Sequence, residues 1–190
     1  MRVTRAEAAA SRERILDAAS RLFRERGLDG IGVADLMKSA GMTHGGFYTH
    51  FASKEDLMAK ACERALAKSA LRWDRLAAQP EADVLAALAA TYLSPRHRDN
   101  PGTGCAIAAL GADVSRQGPG VRHAFTEGLR GLIDRLARFV PGRLRTAKRR
   151  RALAIYASMV GGVVLARAVD DAELSDEILQ AVAASIGAVA

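Results

Sequence analysis

Apolar residues along this 190-residue chain recur at the three-to-four-residue spacing of a helix face, and nowhere alternate as a strand would. Ile15, Ala18, Ala19, Leu22 and Phe23 form the first such face. Thr4 to Glu7 reads as a capping box at its start, and Gly27, preceded by Arg24 and Arg26, ends it. A turn over residues 28–32 leads to a second helix at about 33–40, with Leu36 and Met37 inward and Gly41 as its stop. Thr43 is the expected N-cap of a third helix, with Met42 and Phe47 as a hydrophobic staple. Ser53, with Asp56 three residues on, caps a long helix over about 53–78.

Past Pro80, Val84, Leu85, Leu88, Tyr92 and Leu93 mark another amphipathic segment, ended by Ser94-Pro95. Residues 95–103 carry Pro, Asn and Gly and read as a loop, and residues 105–114 as a short apolar helix. Gly118-Pro119-Gly120 reads as a second break. Val121, Phe125, Leu129, Leu132, Ile133, Leu136 and Val140 then mark a long helix stopped by Pro141-Gly142. Two helices over about 146–168 and 173–188 finish the chain, the second with Leu174, Ile178, Val182 and Ile186 at i, i+4 spacing. The expected fold is all-α, with about nine helices.

Composition agrees: Ala, Leu and Arg dominate, and β-branched and aromatic residues are sparse. No stretch of 18 residues is uniformly apolar and the first residues lack a leader's apolar core, so no membrane partner and a cytoplasmic location are expected. Cys62 and Cys105 show no metal-ligand spacing and are expected to be reduced thiols; no metal or cofactor is expected. The net charge of +7 suits a polyanionic partner but does not locate it, because residues 1–60 hold ten Lys/Arg against eight Asp/Glu. The densest basic run, Arg143 to Arg151, lies in the other half and reads as a solvated face.

The geometry of the first three helices is more specific. Phe47 and Phe51 can face a small core with Leu22, Phe23 and Leu36, which turns His44, Gly45, Tyr48 and Thr49 outward as a recognition helix requires. Gly45 and Gly46 are poor helix formers whose missing side chains allow close backbone approach. The stretch from Val33 to Leu57, above all the Gly41 turn, Phe47-Tyr48-Thr49-His50-Phe51 and Ser53-Lys54-Glu55, resembles the DNA-binding signature of the TetR family of transcriptional regulators. With the preceding helix the resemblance covers about residues 11–60.

That resemblance implies a helix-turn-helix domain over residues 1–52 and an effector-binding and dimerisation body over 53–190, in a repressor of double-stranded operator DNA. Thr43, Tyr48 and His50 would contact phosphates, His44, Gly45 and Thr49 would sit at base edges with Gly46 beside them, and Lys54 would hold the backbone. Read without it, Tyr48 is equally a surface aromatic, His50 a helix-end residue satisfying a carbonyl, and His44 a spectator. Family members often carry Thr-Thr before the second helix; Ile31-Gly32 stands here, which implies one phosphate contact fewer.

For the body, the resemblance implies a homodimer formed by the last two helices and a pocket for an unidentified small-molecule effector. Tyr156, Val160, Gly161, Gly162, Val163, Val164, Ile178, Val182 and Ile186 are the candidate interface, or else the inside of a monomer. Trp73, Tyr92, Cys105, Ile107, Leu110, Phe125 and Leu129 are the candidate pocket, or else plain core. Cys105 follows Gly102-Thr-Gly104 and opens a helix, which makes it a candidate sensor thiol as well as a candidate core residue.

An enzyme reading finds little: the Gly102-Thr-Gly104 fingerprint fails at Ile107, and there is no GxSxG, HExxH or P-loop. His97 and His123 lack an evident partner. A non-sequence-specific DNA-binding protein or helical adaptor is the alternative to a regulator.

Overall fold

The computed structural model describes residues 4–79 and 83–187; the expected break at Pro80 and the last helix's end at 188 lie outside them. Among the described residues there are ten α-helices and no strand. They are α1 (Arg5–Arg26), α2 (Val33–Ser39), α3 (Phe47–His50), α4 (Lys54–Ala77), α5 (Val84–Tyr92), α6 (Pro95–Asp99), α7 (Ala106–Val114), α8 (Pro119–Phe139), α9 (Arg145–Ala168) and α10 (Ala172–Gly187).

The tenth helix is α6, which falls where a loop was expected. Ser94 accepts from the His97 amide and Pro95 occupies the first helical position, so cap and proline together start a turn that the later breakers keep short. Pro119 likewise begins α8 instead of breaking the chain. Other punctuation is as expected. Thr4 and Glu7 form both bonds of the capping box, and Gly27 and Gly41 take the positive φ values (81° and 71°) that end α1 and α2.

Helices α1 to α3 form a head around Phe23, Leu36, Phe47 and Phe51, with the Phe47 and Phe51 rings stacked at 5.8 Å. Helix α4 leaves the head and becomes the spine of the body, where α8 runs beside it in the same direction. Glu55 lies against Gly118 near the start of both, Leu66 against Gly128 midway, and Arg135 bonds Asp74 at 3.1 Å near the far end. A Cβ on Gly128 would meet Leu66 Cδ1 at 2.3 Å, so glycine there is what lets the two helices close up.

Helix α9 returns along the body. Its Tyr156 lies beside Trp73, and Arg167 donates to the carbonyls of His97 and Arg98 at 2.7 and 2.8 Å. Helix α10 folds back on α9, with Val182 against Gly162. No uniformly apolar stretch exists, yet α9 is long and apolar enough by length and composition to cross a membrane, with a mean hydropathy of 1.3 over its most apolar window. Core helices of water-soluble proteins satisfy the same measure, but only 39% of that window is buried.

Candidate nucleic-acid interface and inner cavity

The third helix is shorter than its periodicity suggests. A 3-10 turn over His44–Gly46 precedes the four residues of α3, and Thr43 sits in the N-cap conformation without a capping side-chain bond. Two consecutive glycines explain the substitution, since they favour no α-helical turn and the first amides are left uncapped. Ser53 does cap α4 through the Asp56 amide at 3.0 Å, whereas the Asp56 carboxylate accepts from Ala52 at 3.2 Å instead of closing a box on Ser53.

This small unit presents two faces. Phe47 and Phe51 are buried, while Tyr48, directly between them in the chain's next position, is 71% exposed with its ring edge-on to Phe47 at 5.1 Å. Thr43, His44, Gly45 and Thr49 are exposed beside it, and Gly46 and His50 are half-buried. Lys54 is half-buried and lies 4.0 Å from the Asp29 carboxylate, which holds its ammonium at the edge of this surface. Arg12 of α1, singled out by no motif, stacks its guanidinium over Phe51 at 5.1 Å.

In the body, α4, α5, α6 and the segment before α7 enclose a cavity of about 480 Å³. Trp73, Tyr92 and Cys105 of the candidate set line it. Ile107, Leu110, Phe125 and Leu129 do not; they belong to the packing of α7 and α8. The polar wall was not foreseen: Arg72 of α4, Arg96 and His97 of α6, and Thr103 of the 3-10 turn Pro101–Thr103 stand there.

His97 holds this wall together. Its Nδ1 lies 2.6 Å from the Tyr92 carbonyl, and the Cys105 amide donates to its Nε2 at 2.9 Å, so the ring is neutral with the proton on Nδ1. Sequence offered His97 no partner because both partners are backbone atoms brought in by folding. Cys105 is buried, with Sγ 3.2 Å from the Tyr156 hydroxyl. The Tyr92 hydroxyl lies near both yet is buried without a hydrogen-bond partner of good geometry among the described residues. Burial holds both phenols well above their ordinary pKa of 10, and pushes the second buried thiol, Cys62, up to about 12.

Burial lowers the His97 pKa from its ordinary 6.5, outweighing the bond to Tyr92 that raises it. The native state therefore favours the neutral ring. Its stabilising contribution is complete above pH 6.5 and is lost as pH falls through the folded value. Melting temperatures measured from pH 7.5 to 5 are expected to fall more steeply for the native protein than for His97→Gln; parallel curves contradict this assignment.

The candidate dimer residues separate into two sets. Tyr156, Val163 and Ile186 belong to the chain's own core, and Gly162 packs inward against Leu93 and Val182, so these are corrected to internal packing. Val160, Ile178 and Val182 are half-buried against that core. Val164 is exposed, and a Cβ on Gly161 would meet nothing within 4 Å. Leu153 and Leu165 are exposed large apolar residues as well, and so is Leu174, although it opens the i, i+4 stripe of α10. In a helix this apolar all round, spacing alone does not distinguish the inner face from the outer.

Residues 15–61 match the family model for bacterial regulatory proteins of the tetR family. The chain is 30% identical over 130 residues to the HTH-type transcriptional repressor NemR of Escherichia coli K12, across 67% of this chain and 65% of NemR. It is 40% identical over 62 residues to the HTH-type transcriptional regulator AcrR of Shigella flexneri, across 33% of this chain and 29% of AcrR. These matched stretches thus span less than two thirds of either relative. A crystal structure of the reduced form of E. coli NemR superposes with a TM-score of 0.80 at 26% identity, covering 95% of this chain and 96% of that one. With the helix-turn-helix matched in sequence and the whole helical body matched in shape, the chain belongs to the TetR family of bacterial regulatory proteins.

Proposed function

We propose that this protein is a homodimeric repressor that reads operator DNA through residues 1–52 and loses it when residues 53–190 take up an effector. The observation that carries the reading is the two-faced unit at α3: buried Phe47 and Phe51 fix a surface on which Tyr48, His44, Gly45 and Thr49 stand free. An isolated four-residue helix has no stability of its own, so this surface is set by the core beneath it. Gel shifts with fragments from upstream of the protein's own gene test it. A sequence-preferring complex that survives competitor DNA supports the reading, and equal binding to any duplex favours the non-specific alternative.

Residue roles follow. Tyr48, Thr43 and His50 contact phosphates and Lys54, released from Asp29, neutralises another, whereas His44, Gly45 and Thr49 approach bases with Gly46 close by. Lys54→Ala is expected to weaken all sequences alike and to flatten the salt dependence, while His44→Ala changes preference at particular base pairs. Gly45→Ala is a sharper case. A Cβ at Gly45 meets nothing within 4 Å in the free protein, so melting temperature is expected to hold or rise while operator affinity falls several-fold. Unchanged affinity would remove the close backbone approach from the argument.

The effector occupies the cavity around Trp73, Tyr92 and Cys105. It is small and partly apolar, and it supplies an acceptor for the unpartnered Tyr92 hydroxyl, since a buried hydroxyl without a partner costs about 1–3 kcal/mol. Modification of the Cys105 thiol is the other route to release, and it reaches the head by the same contacts. The carbonyl of Gly104, beside Cys105, accepts from Arg24 of α1 at 2.9 Å, and Asp113 of α7 accepts from the Leu28 amide at 3.0 Å. Displacing Cys105 therefore pulls on the helix that carries the head. The protein works in the cytoplasm, and the exposed apolar face of α9 meets a second copy of the chain, not lipid.

A further inference from the structure

Between head and body, α1 and α4 flank a second cleft of about 780 Å³, with Gly102 and Thr103 also lining it. Each helix contributes one face to it: Asp17, Arg21 and Arg24 from α1, and Lys68, Arg72 and Arg75 from α4. Five cations thus face one carboxylate. Lys68 is committed to Asp17 at 2.6 Å and Arg21 to Glu25 at 3.0 Å. Arg24, Arg72 and Arg75 have no carboxylate partner among the described residues.

Their surroundings set the cleft apart from a solvated basic face. Arg24 is buried, with only carbonyls and a serine hydroxyl to receive its N–H groups: Ser20 O at 2.8 Å, Gly104 O at 2.9 Å and Ser20 Oγ at 3.4 Å. Burial and the neighbouring Arg72 lower its pKa to about 10, outweighing the opposing pull of Glu25, whose carboxylate bonds Arg21 instead. Arg72 donates to Thr103 O at 2.8 Å and Ser69 Oγ at 3.2 Å, and no side chain among the described residues engages Arg75. Leu71, 55% exposed in the middle of these cations, gives the cleft one apolar wall.

We propose that this cleft is a second ligand site, separate from the cavity around Tyr92, and that it takes a compact anion bearing a di- or triphosphate. Three guanidinium groups without carboxylates, arrayed on two helices, match several phosphate charges better than one, and planar forks suit phosphate oxygens. The phosphates meet Arg72 and Arg75, within the field of Arg24, and an organic portion, where present, lies on Leu71. The occupant is not operator phosphate: along α4 the cleft is about 20–30 Å from Lys54 at 1.5 Å per residue. Because α1 belongs to the head and α4 to the body, a bound anion bridges the two. Arg72 and Thr103 also line the effector cavity, so the two sites share a wall.

Titration calorimetry of the full chain with inorganic pyrophosphate and with adenosine triphosphate, at constant ionic strength, tests the site. Saturable binding of one anion per chain is expected. Arg75→Gln and Arg72→Gln should each weaken it about tenfold, the value of one charge-assisted bond, while Lys54→Ala and Arg143→Gln leave it unchanged. Tighter binding of adenosine triphosphate identifies an organic phosphate as the occupant, and equal binding identifies the phosphate groups alone; either outcome supports the site. Heat effects matched by sodium chloride, an equal loss in Lys54→Ala, or unaltered affinity in Arg75→Gln overturn it. Arg75 bonds to no side chain among the described residues, so its variant reports on the ligand even where Arg72→Gln disturbs folding.

Discussion

Phe47→Ala is expected to destabilise the protein by about 3–5 kcal/mol and to abolish operator binding, as loss of a fully buried aromatic does elsewhere. Phe47 is wholly inaccessible, and its ring stacks on Phe51 and meets the edge of Tyr48. With α3 only four residues long, no local hydrogen bonding compensates for the cavity. The neighbouring Tyr48→Ala is the control: at 71% exposure it should change stability by about 0.5 kcal/mol or less, yet it should also lose operator affinity. Urea unfolding with gel shifts on both variants separates the two roles. Should Phe47→Ala unfold at the native midpoint, or Tyr48→Ala bind normally, the division of this turn into an inner and an outer face fails.

That division was legible in the sequence because the head is punctuated by residues with strong local chemistry. Thr4 with Glu7, Gly27, Gly41 and Ser53 fix where helices begin and end, and the i, i+4 pair Phe47 and Phe51 fixes which side is inward. Gly45-Gly46 misled only in degree, turning an expected α-helical opening into a 3-10 turn. The body was harder. Ser94-Pro95 carries the same cap-and-proline signal that starts helices elsewhere, but the breakers after it concealed α6. His97 gained its partners from the backbone of Tyr92 and Cys105 on either side of it, and Arg24 from the distant Gly104 carbonyl, and no side-chain spacing encodes a backbone partner. The outer face of α9 was mixed with the inner because Tyr156, Val163 and Gly162 are as apolar or small as Gly161, Val164 and Leu165. Periodicity finds a stripe; only the packing of α8, α10 and α7 decides which side of it is spent within the chain.

The outer side of that helix carries the second large prediction. Leu153, Ala157, Gly161, Val164, Leu165 and Ala168 are exposed or half-exposed along one flank of α9, with Leu165 at 57%, and Leu174 of α10 continues the patch. Two such flanks related by a two-fold axis form a four-helix interface, and Gly161 lets the backbones approach where they cross. Val164→Glu with Leu165→Glu places four like charges in that contact, and Gly161→Leu fills the crossing. A Cβ at Gly161 meets nothing within 4 Å in one chain, so the fold is expected to be retained and association alone lost. Light scattering should report monomers for both variants. Operator affinity should fall by about 100-fold or more, because the two half-sites are no longer engaged by one linked molecule. Val163→Ala, in the internal half of the same helix, should instead lower the melting temperature while the dimer persists. A native protein that is monomeric at micromolar concentration, or a Gly161→Leu variant that remains dimeric with full affinity, would place the two-fold contact on another surface.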